Sequence, residues 1–172
     1  LFGIIGSGMA LIGIIIPRIS MKMVEQHTPR FNLAVVSTTT IVGLYGMTFF
    51  KPFYGLLPIV ILYSGGYMIG FFVSHYLNHI TESHQRATVL SFKGLFMNLF
   101  YGMIGLLYAF LIAMLRPGIS EKYPNLVPEL IENLVFMQSF QWFPWTFVIG
   151  LSMFLAVAKY KLGSSGDERR IH

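Results

Sequence analysis

Cysteine is absent from the 172 residues, which excludes disulfides and thiolate metal sites. Charge is scarce: 12 Lys and Arg with 7 Asp and Glu make 11% of the chain. A soluble domain carries about 25%, because it must cover its surface with groups that water solvates. No Gly-rich phosphate loop, nucleophile elbow or zinc-protease pattern occurs, and no acid–base constellation, so neither an enzyme nor a cofactor is expected. Barrel strands would need runs of about ten residues of alternating polarity, and none is present. A net charge of +5 would suit nucleic acid in a soluble protein. Here the basic residues sit beside hydrophobic blocks, where membrane topology accounts for them, and no nucleic-acid partner is expected.

What is present is apolar and comes in blocks. Hydrophobic residues make up 55% of the chain, and the mean hydropathy is +0.66. Residues 1–16, 33–50, 55–74, 89–115 and 140–158 are predominantly apolar, and Lys93 is the only formal charge inside any of them. At ~1.5 Å of helical rise per residue, ~20 such residues cross a hydrocarbon core ~30 Å thick. The last four blocks meet that length and the first falls slightly short. Backbone groups in lipid need internal partners, so each block is expected to close its own hydrogen bonds as a helix. The expected fold is therefore all-α, an integral membrane bundle of about five spans over residues 1–160 with a tail at 161–172. The lipid bilayer is its first partner.

The loops alternate in charge. Arg18, Lys22, Arg30, Arg86, Lys93, Lys159, Lys161, Arg169 and Arg170 fall on one side, nine basic residues against the three of Lys51, Arg116 and Lys122. The positive-inside bias places the first group, with the C-terminal tail, in the cytosol of a cell (plasma or inner) membrane. An odd number of spans then leaves the N-terminal end outside. Leu1 opens within an apolar run with no basic leader before it, as expected of a piece of a longer chain. Between residues 116 and 139, Leu126, Leu130 and Leu134 recur at helical spacing with Val127 and Ile131, while Glu129 and Glu132 lie to another side. This suits a short amphipathic helix on the outer surface, or equally a continuation of the last span. Trp142 and Trp145 sit where an interfacial aromatic belt would place them, and Pro144 suits a first helical turn.

The stretch Tyr76-Leu-Asn-His-Ile-Thr-Glu-Ser-His-Gln-Arg-Ala-Thr-Val-Leu-Ser91 resembles the segment between helices ten and eleven of the major facilitator superfamily. There, a helix ends in an Asn-containing turn, and after a short polar loop the next opens with an Arg-Ala-Thr-Val-Leu-Ser-like run. Asn78 matches the turn, and Arg86, Ala87, Thr88, Val89, Leu90 and Ser91 match the run. Glu82 and Arg86 stand four apart and are expected to pair on the emerging helix; small Ala87 and Ser91 permit close helix approach. The basic loop from Pro17 to Arg30 is similar in position to the one joining helices eight and nine, although it lacks the acidic residue and glycine of that motif's stronger form. The resemblance implies helices eight to twelve, the C-terminal part of a twelve-helix transporter. It also implies transport of a small solute, secondary active or facilitative, by alternating access against the helices missing from the N-terminal side. The other class left open is a membrane subunit that scaffolds or anchors a complex without transporting.

On the fourth block, Gly94, Asn98, Tyr101, Gly105 and Tyr108 form one helical stripe; on the third, Tyr63, Tyr67, Gly70 and Ser74 form another. A lipid-facing Asn amide is costly, so Asn98 is expected to face protein or a water-filled cavity. In the family, helices seven, eight, ten and eleven line the C-half cavity. That resemblance makes Ser7, Tyr63, Tyr67, Asn98 and Tyr101 the substrate-cavity candidates; for Ser7, Gly94 and Gly105 helix packing is the favoured role, and for Asn98 with Tyr101 the cavity. No Asp, Glu or Arg lies near the middle of a span, so a coupling group, if transport is ion-driven, is expected in the missing part. His27, His75, His79, His84 and His172 fall in loops, the tail or span ends without an accompanying carboxylate pair or thiol, and no metal site is expected of them.

Overall fold

The computed structural model describes residues 2–49 and 55–168; Leu1, Lys51, Arg169, Arg170 and His172 lie outside the described residues. Among the described residues, every regular element is a helix: α1 Phe2–Gln26, α2 Pro29–Thr48, α3 Leu56–Ile80, α4 Arg86–Lys122, α5 Pro128–Ser139 and α6 Phe143–Glu168. Five segments are long and apolar enough to cross a membrane, the fifth joining α5 and α6. The chain is built as a multi-pass membrane protein.

α1, α3 and α6 run on past the C-terminal ends of their apolar blocks, α2 begins before its block, and α4 outruns its block at both ends. The expected loop from residue 17 to 32 shrinks to His27 and Thr28, because Lys22, Met23, Glu25 and Gln26 are good helix formers and carry α1 on past its hydrophobic part. Thr28 then caps α2, its side chain accepting from the Phe31 N–H at 3.4 Å, and Pro29 takes the first turn, where its missing N–H is not needed. Pro17 sits inside α1 and withdraws the donor that Gly13 would have used, a loss that membrane helices tolerate. The stretch 161–168 is still helical. α5 is a separate helix, parted from α6 by the turn at residues 140–142.

Packing is organised around α3, which lies against α1, α2 and α4; α6 reaches α2, and α5 folds back on α4. Val36, Met68 and Phe72 form the buried centre, with Ile16, Met23 and Tyr76 packed on it. Helices in lipid gain little from apolar burial and rely on close backbone approach, and glycines supply it here. A Cβ on Gly43 would stand 2.7 Å from Leu62 Cγ, on Gly46 2.9 Å from Pro58 Cγ, and on Gly65 3.3 Å from Thr40 Oγ1. Thr39 and Thr40 direct their hydroxyls to carbonyls of their own helix, at Val35 and Val36. The fully buried Asn32 amide ties the three helices at one end, donating to Tyr76 Oη at 2.8 Å and to the Met23 carbonyl at 3.4 Å.

α4 stands apart from this core. Its 37 residues make a rod of about 55 Å, well beyond the ~30 Å hydrocarbon thickness. At its far end Arg116 forms a two-pronged pair with Glu132 of α5, at 2.8 and 3.0 Å. Large apolar side chains cover its surface exposed, among them Leu95, Leu99, Leu106 and Phe110, as suits a helix solvated by lipid or by further protein.

Candidate functional site

The polar stripe of α3 is the feature that the fold sets apart. Tyr63, Tyr67, Gly70 and Ser74 return to one face at steps of four, three and four. At its middle, the Tyr63 and Tyr67 rings meet edge to face, centroids 5.5 Å apart. The Tyr67 hydroxyl lies where a Cβ on Gly13 of α1 would be, 2.9 Å away, so the absent side chain at Gly13 is what lets that ring lie between α1 and α3. Tyr63 is 49% exposed and Tyr67 37%. Together with Ile59, Leu62 and Gly66 they wall an open hollow of about 480 Å³. Neither phenol makes a hydrogen bond to the described residues. A hydroxyl at membrane depth seeks a partner, and these two offer donor and acceptor sites to whatever occupies the hollow.

The same stripe ends in a charged contact. Lys93 of α4 reaches across to α3, its Nζ donating to Ser74 Oγ and, at 3.4 Å, to the Gly70 carbonyl. The Ser74 hydroxyl itself donates to that carbonyl at 2.8 Å. No carboxylate among the described residues pairs with Lys93, which leaves it with neutral acceptors alone. Sequence reasoning noted Lys93 as the one charge within an apolar block but counted it only among the cytosolic basic residues and gave it no partner. That isolation was the signal that it was more.

The sequence candidates do not close into one cavity. Tyr63 and Tyr67 come together. Tyr101, 81% exposed, borders a second groove between α3 and α4, beside Phe96, Phe100 and Lys93. Ser7 on α1 and Asn98 on α4 are exposed and stand by themselves, and Asn98 faces no described helix. Gly94 and Gly105 have open space where a Cβ would be, so no described helix packs on them; the glycines that do serve packing are Gly13, Gly43, Gly46 and Gly65. Tyr108, at the end of that stripe, stacks on Phe143 of α6 with centroids 5.9 Å apart.

At the loop motif, Glu82 takes His84 at 3.4 Å rather than Arg86. The expected pairing fails because α4 begins only at Arg86: Glu82 lies in the preceding turn, where four-residue spacing no longer brings side chains together. Asn78 holds a buried Oδ1 without a hydrogen-bond partner. Ala87 and Ser91 are exposed, and Thr88 borders the α3–α4 groove. His75 stacks on Phe71 with centroids 6.0 Å apart, and among the described residues no three His, Asp or Glu side chains gather as metal ligands would.

Comparison with protein-family models, curated proteins and solved structures finds no match to this chain.

Proposed function

We propose that this chain is part of a secondary transporter, with α1, α2, α3, α4 and α6 taking the places of helices eight to twelve of a major-facilitator fold, and that it carries a small solute by alternating access. The observation that carries this reading is the pair of unbonded phenols, Tyr63 and Tyr67, set at membrane depth on an open hollow along the face of α3. Lipid tails offer such hydroxyls nothing, whereas a hydrated path or a polar solute does. The likeness of Asn78 and of the run Arg86–Ser91 to the segment between helices ten and eleven supports the same placement, as does the number of spans. In this reading α3 is helix ten and α4 helix eleven. The Arg86 loop and the tail are then cytosolic.

The test is transport itself. Proteoliposomes holding the longer protein should exchange at least one labelled solute from a panel of sugars, amino acids, and small organic cations and anions. Tyr63→Phe with Tyr67→Phe should lower that rate about tenfold or more, the scale of one or two lost hydrogen bonds, without loss of folded protein. A rate untouched by the double substitution would remove the phenols from the path. Uptake by the 172-residue chain alone would sink the reading, since one bundle has nothing to rock against.

Orientation is tested separately. The chain has no cysteine, so Ser83→Cys and Ser120→Cys introduce unique thiols at opposite ends of α4. They are expected to react with an impermeant maleimide from opposite sides of sealed vesicles. Reaction from one side only would contradict a spanning α4.

A further inference from the structure

We propose that the groove between α3 and α4 is a seat for an anionic phospholipid, its phosphate on Lys93 and one acyl chain along the aromatic wall of α4. The groove holds about 700 Å³ and runs from Thr88 to Ile104, a length of about 24 Å along the helix. The stretch from Lys93 inward to Ile104 is about 16 Å, matching the ~15 Å depth of one hydrocarbon leaflet. Phe92, Phe96 and Phe100 form its wall on α4, and Val73 and Leu77 its wall on α3. Hardly any of that lining is polar, apart from the Lys93 end.

The level of Lys93 identifies the occupant. Its partner Ser74 closes the apolar stretch of α3, and His75, Tyr76, Asn78 and His79 follow. The ammonium therefore lies where hydrocarbon gives way to headgroups, with apolar groove on one side of it and polar helix end on the other. Two of its three protons go to neutral acceptors on α3, and no carboxylate among the described residues pairs with it. A cation so placed draws an anion. Arg86 lies two turns earlier on the same face of α4, a second cation at the water side of the same headgroup. A free organic anion would satisfy Lys93 but has no need of a groove a leaflet deep. A phospholipid matches both. The inference does not depend on transport, because the seat would serve a scaffold equally well.

Phosphatidylglycerol and phosphatidylcholine carrying a diazirine on the acyl chain provide the probe. With the protein reconstituted in nanodiscs, irradiation should place the phosphatidylglycerol label on residues 87–122 and exceed phosphatidylcholine labelling there by at least about fivefold, the order of one favourable lysine contact. Lys93→Met should bring the two lipids to equal labelling, while Lys93→Arg should keep the preference. Equal labelling by the two lipids in the unsubstituted protein, or label spread evenly along the chain, overturns the proposal whether or not Lys93→Met folds. Displacement of the label by a soluble alkyl carboxylate well below its micellar concentration gives the groove to a soluble anion and overturns the lipid assignment. Transport assayed on the same protein in proteoliposomes separates this outcome from failure of the transport reading.

Discussion

Gly43→Val is expected to separate α2 from α3 and to destabilise the bundle by about 2–3 kcal/mol, the scale of a forced overpacking. Even the first added carbon would stand 2.7 Å from Leu62 Cγ, 2.8 Å from its Cδ2 and 3.2 Å from its backbone nitrogen. The side-chain atoms can swing away. The backbone nitrogen cannot, so relief requires the two helices to part, and with them the contacts of Gly46 on Pro58 and of Thr40 on Gly65. Gly66→Ala is the control. It stands one residue beyond Gly65 on α3 with nothing within 4 Å of its would-be Cβ, so the better helix former should leave stability unchanged or raise it slightly. Thermal melting of both variants in the same detergent decides the matter. Equal melting points would mean that the α2–α3 contact does not hold the bundle.

Tyr76→Phe should cost about 1–2 kcal/mol although it removes a single oxygen. The Asn32 amide is fully buried. Without Tyr76 Oη, at 2.8 Å, it keeps only the longer contact to the Met23 carbonyl at 3.4 Å. Its Oδ1 has no partner to begin with, so the group is already under-satisfied. A buried donor left unmade costs more than the bond contributed, though bonds between membrane helices average below those in water. Asn32→Leu combined with Tyr76→Phe removes both halves of the mismatch and should recover most of the loss. The measurement is a double-mutant cycle on unfolding free energy. Simple additivity of the two losses would show that the 2.8 Å bond contributes nothing.

These two contacts also show what the sequence could and could not say. The five apolar stretches were legible because a lipid-facing helix announces itself by composition alone. Their ends were not, since Ser20, Lys22 and Glu25 suit a helix as well as a loop, and α1 simply continues to Gln26. Thr28-Pro29 was a readable cap-and-first-turn signature that would have started α2 four residues before the apolar block, putting Asn32 in a helix rather than a loop. Asn32 meeting Tyr76, 44 positions away, depends on the register of two helices, which no local pattern encodes. The α3 stripe was correctly drawn as a line on one face. What lay opposite its Gly70–Ser74 end, the Lys93 side chain, was again a matter of register. On the α4 stripe the glycines have open space where a Cβ would be, so no described helix meets them.

The length of α4, joined to how it is held, gives it a mechanical character. It is fastened to α3 through Lys93, about 10 Å from its start at Arg86, while its clasp on Glu132 lies about 35 Å beyond that point along the helix. Between the two it also leans on α6, where Tyr108 stacks on Phe143, but measured from Lys93 its two arms are unequal. Any tilt about Lys93 moves the Arg116 end more than three times as far as the Arg86 end, and α5 is carried along with it. A tilt that is small at the Arg86 end is therefore large at the Arg116 end, where α5 is attached.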